Sequence, residues 1–504
     1  MTRSMICSSN LLSSDSITSK LVNTVRKTRI VSTLGPASTT KEDLKNLLRA
    51  GADVFRLNYS HGSPEDKTEL YSIIRELENE LGQPTCILAD LPGPKIRIGI
   101  LEQEVFLSHG STISLHIGQS QIEGEFNGLL PVEIDGIEDQ IKKGSSILIA
   151  DGLVELTVDS TEGKLIQCIV KNEGYVSSGK GLNFPGTHLD IPAFGPKDVL
   201  ALEHALKCEA DYVAVSYVRS AKDLIPVKDY IKKSGVHTPI IAKIEHPLAL
   251  KNLDEILDYC QAVMVARGDL GVEIPLEDVP IAQEQIISKA IERGMVSIVA
   301  TQMLETMTAN PRPTRAEVTD VSSAIRQGAS CVMLSGETAV GAHPSLAVET
   351  MARIALSTEQ SFASTGNRPT ALARFRSTRA IAHAGVLLAE ISGAARIVVA
   401  TEHGNAPRLV AGYRPEVPVT AVSNRIRALR RTCMLSGVDT VMVEEYERGS
   451  ATMKAAIEAL VADGRLKPGD KVIAMSGSPK AITGSTSTLR LYSILGDGTV
   501  KTDE

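Results

Sequence analysis

The sequence lacks the cysteine pattern of a disulfide-stabilised domain or of a zinc site. Its seven cysteines are scattered, odd in number and never arranged as Cys-x-x-Cys. This pattern argues against both a disulfide framework and a zinc centre. A reducing cytoplasm is the compartment that fits this cysteine usage.

Long hydrophobic runs and an excess of basic charge are also absent. The mean hydropathy is +0.02, and no apolar stretch is long enough to cross a bilayer, so no membrane partner is expected. The net charge of −7 argues against a general nucleic-acid-binding protein, which would need a basic surface. Residues 1–24 are rich in Ser and Thr with few acids and lack the apolar core of a secretory signal. This composition favours a short disordered leader over an organellar transit peptide, which stays open as the alternative.

Short apolar runs alternate with helical patterns, which is typical of βα units in an α/β protein. Thr40 and Gly51 bracket one helical pattern, and Ser63 and Gly82 bracket the next, with residue types that cap helices. Eight such units predict a closed parallel (β/α)8 TIM barrel, in which reactive side chains lie at the carboxyl ends of the strands. The predicted strands are residues 28–33, 54–58, 86–90, 212–216, 240–245, 262–269, 296–301 and 331–337.

The third and fourth predicted strands are about 120 residues apart, which is far more than a barrel loop needs. Residues 99–189 show short alternating runs with many glycines, which predicts an inserted small β-barrel or sandwich that forms a lid. The catalytic barrel would then comprise residues 25–98 and 190–360. A linker at 364–369 precedes a new α/β pattern, so residues 365–504 are expected to form a C-terminal regulatory or oligomerisation domain.

Two of the predicted strands end on carboxylates. Lys243 and Glu245 are two positions apart in a strand, so their side chains point the same way, roughly 6 to 7 Å apart along the chain. Asp269 ends the next strand and would form a pair of acids with Glu245. Oxygen-only ligands suit Mg²⁺ that shares its other positions with water and substrate phosphate. The sequence therefore predicts a magnesium site beside a lysine.

Other strand-end residues predict phosphate binding. Arg56, Asn58 and Ser60 alternate, so we expect a guanidinium and two neutral oxygens to face the same space. Arg97 would supply a second guanidinium, and guanidinium groups match phosphate oxygens bidentately. This end of the barrel is therefore predicted to hold a phosphate group.

Residues 174–180 match most of the phosphate-loop pattern Gly-x-x-x-x-Gly-Lys, but two features argue against a true phosphate loop. Gly181 stands where Ser or Thr is required, and Pro185 lies where a helix would have to form. Lys180 is instead predicted to contact a nucleotide phosphate as a flexible cation from the lid.

Phosphoryl transfer between two anionic molecules needs several cations together, because one unit-charge repulsion at about 4 Å costs about 4 kcal/mol at an effective dielectric of about 20. Arg56, Arg97 and Lys243 would supply positive charge, together with a cation on Glu245 and Asp269. Positioning and electrostatic stabilisation provide most of such catalysis. A lid would exclude water, which competes as an acceptor.

These residues resemble the pyruvate kinase family, in order, from about Lys27 to Ile494. The segments that carry the resemblance are residues 30–38, 56–62, 241–245, 264–275, 300–305 and 333–338. The resemblance implies transfer of the phosphoryl group of phosphoenolpyruvate to ADP, the last step of glycolysis, with ATP and pyruvate as products. It also implies a homotetramer with interfaces through the barrel and C-terminal domains.

The resemblance also implies a role for each site residue. Lys243 would stabilise the transferring phosphoryl group and the enolate, while Glu245 and Asp269 would bind Mg²⁺, with Mn²⁺ left open. The backbone of Gly268 and Asp269 and the hydroxyl of Thr301 would hold the substrate carboxylate, with Thr301 near the path of the proton. Arg56 would bind the phosphate group of the substrate. The phosphate groups of the nucleotide would be bound by Asn58, Ser60, His61, Arg97 and Lys180.

One departure from the family pattern concerns potassium. Family members that need K⁺ carry a glutamate where this chain has Lys95. An ammonium group tethered there can stand where the monovalent ion otherwise balances carboxylate charge, so the resemblance implies that K⁺ is not required. The potassium ligands of the family, Asn58, Ser60 and Asp90, are nevertheless present.

A second departure lies in the C-terminal domain, where regulated relatives carry a Ser- and Thr-rich loop that holds a sugar phosphate. Residues 401–408 of this chain contain Glu402 and Pro407 instead, which removes donors and adds repulsion toward phosphate. Weak or no activation by fructose 1,6-bisphosphate is therefore expected through this loop. Residues 476–479 and 484–488 could bind another phosphorylated ligand or form an ordinary helix cap and turn.

The residues alone leave two other functions open. A metal-dependent aldolase or lyase acting on a pyruvate enolate would also use acids at barrel strand ends, but it would not need the lid, Lys180 or the phosphate clamp at residues 56–61. A non-catalytic metabolite sensor would be expected to lack Lys243, Glu245 or Asp269, and all three are present.

Overall fold

The structure is a computed structural model that describes residues 26–361, apart from 123, 125 and 151, and residues 377–444, 449–477 and 486–502. The predicted leader at 1–24, the predicted linker at 364–369 and residues 478–485 of the second C-terminal loop lie outside the described residues. Within the described part of the chain, no helix is both long enough and apolar enough to span a bilayer.

The first described elements are three strands and two helices of the barrel. They are β1 (Arg29–Leu34), α1 (Lys41–Ala50), β2 (Val54–Asn58), α2 (Pro64–Leu81) and β3 (Cys86–Asp90). The side chains of Thr40 and Ser63 cap the two helices by accepting backbone N–H groups of the first turn. Gly51 and Gly82 end the helices with φ of 117° and 63°, which confirms both predicted helices.

The lid is inserted after β3. Its strands are β4 (Val105–Leu107), β5 (Thr112–Ile117), β6 (Leu129–Val132), β7 (Ser146–Ile149), β8 (Val154–Glu162), β9 (Leu165–Val170), β10 (Gly174–Val176) and β11 (Leu182–Asn183). The main sheet has the order β11-β7-β8-β9-β5-β6, and β10 pairs with β4. Residues 174–180 form β10 and a turn without a following helix, so the rejection of a phosphate loop is confirmed.

The second half of the barrel follows the lid. Its elements are α3 (Pro196–Lys207), β12 (Tyr212–Val215), α4 (Ala221–Lys233), β13 (Ile240–Ile244), α5 (Pro247–Lys251), α6 (Leu253–Leu257), β14 (Ala262–Ala266), α7 (Arg267–Glu273), α8 (Val279–Glu292), β15 (Val296–Ala300), α9 (Arg315–Gln327), β16 (Cys331–Leu334), α10 (Gly336–Ala339) and α11 (Pro344–Ser361). The strands close in the order β1-β16-β15-β14-β13-β12-β3-β2, and every pair is parallel. The predicted (β/α)8 barrel is confirmed.

Two predicted strand ends are wrong. β14 ends at Ala266 and β16 ends at Leu334, so Asp269 and Glu337 lie in the helices α7 and α10. Glu337 is buried and accepts the backbone N–H groups of Leu304 and Ser335 at 3.0 and 2.7 Å. Apolar content does not distinguish the end of a buried strand from a helical turn that continues it.

The C-terminal domain contains one mixed sheet between helices. Its elements are α12 (Ser377–Ser392), β17 (Arg396–Ala400), α13 (Asn405–Gly412), β18 (Val419–Ser423), α14 (Ile426–Thr432), β19 (Val438–Met442), α15 (Gly449–Ala462), β20 (Lys471–Ser476), β21 (Thr488–Ile494) and β22 (Val500–Thr502). The described strands lie in the order β19-β18-β17-β20-β21-β22. The strands β17, β18, β19 and β20 pair in parallel, as the predicted α/β pattern implies, whereas β21 and β22 add an antiparallel pair that this pattern did not indicate.

The C-terminal domain packs against the end of the barrel where the strands begin. Arg408 Nη1 donates to the carbonyl of Gly294 at 2.9 Å, and Arg414 donates to the carbonyl of Gly328. Both carbonyls belong to turns that lead into barrel strands. The carboxyl ends of the strands, at the other end of the barrel, are left to the lid and to ligands.

Candidate active site

Lys243 is the centre of the charged groups at the strand ends. It lies on β13 and is 9% exposed, and its ammonium is 2.9 Å from Glu245 Oε1 and 3.3 Å from Asp90 Oδ1. The ammonium also donates to the hydroxyl of Ser216 at 2.7 Å. Burial acts to lower its pKa, but Asp90, Glu245 and Asp269 together outweigh burial and raise the pKa. Lys243 is therefore a fixed positive charge at neutral pH.

Arg56 is oriented by a carboxylate and a hydroxyl. Its Nε donates to Asp90 Oδ2 at 2.7 Å, and its Nη1 donates to Thr33 Oγ1 at 3.0 Å. Burial of Asp90 acts to raise its pKa, but the charges of Lys243 and Arg56 more than offset burial and lower the pKa. Asp90 stays ionised and holds both cations at the strand ends.

Glu245 is the more deeply buried of the two acids predicted to bind a metal. It is 1% exposed, and its Oε2 accepts the backbone N–H of Tyr217 at 2.6 Å. Burial raises the pKa of Glu245; Lys243 opposes this effect and Asp269 adds to it. Its negative charge is therefore incompletely balanced, and a divalent cation would supply the missing positive charge. The donor set fits a divalent metal.

The metal position would be only partly filled by protein oxygens. Asp269 has 25% of its side-chain surface exposed and faces the open end of the barrel. Within the described residues, no cluster of three or more His, Cys, Asp or Glu side chains could hold a metal ion. A cation on Glu245 and Asp269 would therefore leave positions for water and substrate oxygens, as Mg²⁺ does beside phosphates.

Thr301 and Gly268 meet just beyond the ends of β15 and β14. Thr301 Oγ1 accepts the backbone N–H of Gly268 at 2.7 Å and donates to the carbonyl of Ala300 at 2.6 Å. Thr301 has a φ of 67°, which is a strained conformation for a β-branched residue. The Gly268 N–H that was predicted to hold a substrate carboxylate is therefore bonded to Thr301 in this structure.

Sequence reasoning missed Arg267, which supports this strained turn. Its guanidinium donates to the carbonyl of Thr301 at 2.6 Å and to that of Gln302 at 3.2 Å. It also forms an ion pair with Asp320 at 2.6 Å. Contacts to backbone carbonyls leave no pattern in a sequence, and the only signal was the position of Arg267 directly before Gly268 and Asp269.

Asn58 is the last residue of β2, and Ser60 lies in the turn that follows it. The prediction that the alternation of Arg56 and Asn58 continues along a strand to Ser60 is wrong, because the backbone turns after Asn58. Asn58 Oδ1 accepts the backbone N–H of Ser60 at 3.0 Å. The asparagine side chain thus stabilises the turn that presents Ser60 and His61.

His61 marks a strongly positive part of the site. Burial lowers the pKa of its imidazole, and several nearby cations lower it further. A neutral imidazole surrounded by cations is a favourable neighbour for nucleotide phosphates. The contributing cations are Arg97, Lys95, Arg56 and Lys67.

Lys95, Arg97 and Lys180 belong to the connection between barrel and lid. Lys95 Nζ lies 3.7 Å from Asp269 Oδ1. Arg97 Nη1 donates to the carbonyl of Gly179 at 2.7 Å, so the turn that carries Lys180 holds it. Among the described residues, no hydrogen bond or ion pair joins the exposed side chain of Lys180 to the strand ends, unlike Lys95.

Two family models match the chain, "Pyruvate kinase, barrel domain" over residues 25–348 and "Pyruvate kinase, alpha/beta domain" over residues 379–492. The chain belongs to the pyruvate kinase family. Pyruvate kinase 2 of Synechocystis sp. is 38% identical over 483 residues, which cover 94% of this chain and 80% of the relative. The pyruvate kinase of Geobacillus stearothermophilus is 38% identical over 476 residues, covering 93% and 80%. That of Agrobacterium vitis is 39% identical over 476 residues, covering 93% and 97%.

Membership of the pyruvate kinase family confirms the resemblance seen in the sequence. The protein is an enzyme, a phosphotransferase, and the family depends on a divalent metal. The two alternatives, an aldolase or lyase and a non-catalytic sensor, are set aside by these matches.

The loop that holds a sugar phosphate in regulated pyruvate kinases has its polar groups already engaged here. Thr401 Oγ1 accepts the backbone N–H of Gly404 at 2.8 Å. Glu402 pairs with Arg425 at 2.7 Å, and Arg408 is directed to a carbonyl of the barrel. Glu402 and Arg408 of this loop are thus both engaged by partners within the protein.

Proposed function

We propose that this protein is a pyruvate kinase that transfers the phosphoryl group of phosphoenolpyruvate to ADP, with ATP and pyruvate as products. One observation carries the proposal: Lys243, Arg56 and the pair of acids Glu245 and Asp269 converge at the open end of one barrel. Two anionic substrates can approach each other only where their charge is balanced in this way.

The transfer breaks the bond between phosphorus and the enol oxygen and forms a bond from a terminal oxygen of ADP to phosphorus. The enol oxygen keeps the electron pair, and carbon 3 of the resulting enolate accepts a proton. Lys243 stabilises the transferring phosphoryl group and the enolate oxygen, because its raised pKa keeps it charged. Arg56 binds the substrate phosphate, and Thr301 lies near the path of the proton.

The substrate carboxylate is assigned to the backbone of Gly268 and Asp269 and to the hydroxyl of Thr301. The backbone groups of Gly268 and Asp269 lie in the first turn of α7, where the helix dipole favours an anion, and the Thr301 hydroxyl adjoins them. Gly268 would exchange its bond to Thr301 for the carboxylate, which links substrate binding to the strained turn. Arg267 keeps that turn in place during the exchange.

A divalent cation would be held by Glu245 and Asp269, and it supplies positive charge to the phosphate oxygens when bound. We propose Mg²⁺ as the resident ion, with Mn²⁺ as an alternative, because oxygen donors suit both. The buried and incompletely balanced charge of Glu245 supports this assignment.

The nucleotide phosphates are assigned to the positive side of the open end, next to the lid. This surface surrounds His61, whose pKa is lowered by burial and by neighbouring cations. The lid turn that binds Arg97 would bring Lys180 to the phosphates when the lid closes over the site. The residues assigned to the nucleotide are Asn58, Ser60, His61, Arg97 and Lys180.

K⁺ is not required, because Lys95 supplies a monovalent positive charge. Its ammonium lies 3.7 Å from Asp269 in the region where the family otherwise places the ion. The potassium ligands Asn58, Ser60 and Asp90 are retained, but Asp90 already balances Arg56 and Lys243, and Asn58 Oδ1 is bonded to Ser60.

The protein acts as a homotetramer in the cytoplasm, without nucleic-acid or membrane partners. Leu387 and Ile391, one turn apart on α12, are 47% and 76% exposed and form an apolar face that a second copy could cover. No disulfide joins the six described cysteines, which suits a reducing compartment. Light scattering measures the molar mass of the purified protein and of a variant with both Leu387→Lys and Ile391→Lys. An unchanged mass in the variant would show that this face is not an interface between copies.

A coupled assay for pyruvate tests the proposed reaction. Purified protein should release pyruvate from phosphoenolpyruvate only when ADP and a divalent cation are both present. Pyruvate release without ADP would indicate a hydrolase or lyase instead and would contradict the proposal.

A further inference from the structure

Lys67 is a buried cation that forms no ion pair within the described part of the chain. It lies in the first turn of α2 and is 5% exposed. Asp66, its neighbour, accepts the backbone N–H of Ser63 at 2.8 Å instead, and no described carboxylate forms an ion pair with Lys67. Burial lowers the pKa of Lys67, and Asp66 offsets this only in part. A buried charge without a counterion is costly, and an anionic ligand would relieve the cost.

The ammonium of Lys67 holds the backbone of the loop that follows β2. Its Nζ donates to the carbonyl of His61 at 2.6 Å and to that of Ser63 at 3.3 Å. It also lies 5.0 Å from the centre of the Tyr59 ring, a cation–π distance. Since the N–H of a trans peptide points opposite to its carbonyl, holding the His61 carbonyl inward turns the Gly62 N–H outward.

One backbone donor of this loop, the N–H of Gly62, has no acceptor among the described residues. The N–H groups on either side of it are engaged: residues 59 and 60 form a hydrogen-bonded turn that ends at His61, and the N–H groups of Ser60 and Ser63 bind side chains. Gly62 has a φ of 69°, in the left-handed region. Backbone N–H groups beside a left-handed residue form concave surfaces that bind phosphate.

We propose that Lys67 is a positioning residue for ADP: its ammonium fixes the His61–Gly62 peptide so that the outward N–H of Gly62 binds a phosphate oxygen of the nucleotide. The bound phosphate in turn balances the charge of the buried ammonium. This inference rests on the proposed assignment of residues 58–61 to the nucleotide phosphates. It predicts an effect on ADP and none on phosphoenolpyruvate, whose assigned cations, Arg56 and Lys243, are held by Asp90.

The test compares three variants. Lys67→Met removes the charge and keeps a flexible apolar stem, while Lys67→Arg keeps the charge. Lys41→Met is the matched control, because Lys41 contacts the same helix through Glu76 and Glu80, away from the loop. Steady-state rates are measured with ADP varied at saturating phosphoenolpyruvate, and then with the substrates exchanged.

The KM for ADP should rise about tenfold in Lys67→Met, with kcat and the KM for phosphoenolpyruvate within about twofold of the unaltered protein. Lys67→Arg should recover part of the loss, and Lys41→Met should show none. Lys67→Gln provides a second readout if the Met variant does not fold, and its inhibition constant for inorganic pyrophosphate competing with ADP should rise by a similar factor.

Equal increases of both KM values, or a lower melting temperature with unchanged kinetics, would overturn the proposal and leave Lys67 a structural residue. An unchanged inhibition constant for pyrophosphate in Lys67→Gln would do the same. If the unaltered protein forms no pyruvate in an ADP-dependent way, the proposed function fails instead, before any variant is compared.

Discussion

At the open end of the barrel, basic side chains face carboxylates: Arg56 binds Asp90 at 2.7 Å, and Lys243 lies 2.9 Å from Glu245. At the opposite end, Arg430 of the C-terminal domain pairs with Glu78 at 2.9 Å, but four other arginines of this domain bind backbone carbonyls of the barrel instead. Burial lowers the pKa of each of these arginines, whereas the neighbouring carboxylates raise that of Lys243. The arginines are Arg379, Arg408, Arg414 and Arg431, and their carbonyl partners belong to residues 293, 294, 328 and 237.

The two kinds of partner suit two different tasks, ligand binding at the open end of the barrel and attachment of the C-terminal domain at the opposite end. A backbone carbonyl at the end of a helix cannot leave its place, so an arginine that binds one fixes two domains together. A carboxylate can exchange a cationic partner for a metal ion, and the raised pKa of Glu245 indicates charge that its present partners do not fully balance. The open end is therefore suited to take up ligands, and the closed end is suited to hold the C-terminal domain.

The largest effect is expected at Lys243. Lys243→Met removes the cation that stabilises the transferring group, so kcat should fall about 1,000-fold or more. Binding of phosphoenolpyruvate should persist in part, because Arg56 keeps its bond to Asp90. The pyruvate assay and titration calorimetry measure the two quantities, and a kcat within about tenfold of the unaltered protein would be inconsistent with the assigned role.

Paired arginine variants sharpen the comparison of the two ends. Arg56→Met should lower kcat/KM for phosphoenolpyruvate about 100-fold, the size of a charge-assisted bond to phosphate. Arg408→Met should leave kcat/KM within about twofold and lower the free energy of unfolding by about 1 to 3 kcal/mol, because the Gly294 carbonyl loses its donor. Kinetics and urea denaturation of both variants provide the measurement. A catalytic loss in Arg408→Met that matches that of Arg56→Met would break the comparison.

A smaller effect is expected from the charge at Lys95. The unaltered protein should work in tetramethylammonium buffer within about twofold of its rate with K⁺, because an ammonium already lies beside Asp269. Lys95→Glu should lose about tenfold in that buffer and recover when K⁺ is added. A collapse of the unaltered enzyme without K⁺ would show that Lys95 does not replace the ion.

The smallest effect is expected from fructose 1,6-bisphosphate. Because Thr401, Glu402 and Arg408 are engaged by other partners, micromolar effector should change the half-saturating phosphoenolpyruvate concentration by less than about twofold. A substrate saturation curve with and without the effector measures this. A large drop would mean that a phosphate displaces the ion pair of Glu402 with Arg425.

Local rules predicted the helices and the order of the strands. Thr40 and Ser63 cap their helices because a side-chain oxygen is needed exactly where the first N–H groups lack partners, and Gly51 and Gly82 supply the left-handed ends. The eight-fold barrel followed because its strands are buried on both faces and read as apolar runs. Lys243 and Glu245 share a side because the two-residue repeat of a strand fixes their direction.

Contacts between residues that are far apart in the chain could not be predicted from the sequence. The helical position of Asp269 depends on where β14 stops, and the pairing of Arg56 with Asp90 depends on the register of two strands. Arg267 and Lys67 bind backbone carbonyls, which every residue possesses, so their partners cannot be recognised from residue types. Such contacts become visible only when the chain is folded.

Glu245 and Asp269 are assigned to a divalent cation, and the stabilisation that Mg²⁺ gives to the protein tests this assignment most directly. The pKa of Glu245 is raised in the folded state, so the protonated carboxyl stabilises the folded protein, fully so below about pH 4.5. This stabilisation is lost as the pH rises through the pKa that Glu245 has in the folded state. Mg²⁺ replaces the proton, so its effect on the melting temperature should grow as the pH rises above about 4.5. That growth should vanish in Glu245→Gln. A Mg²⁺ shift that is the same in Glu245→Gln and in the unaltered protein at every pH would contradict the account.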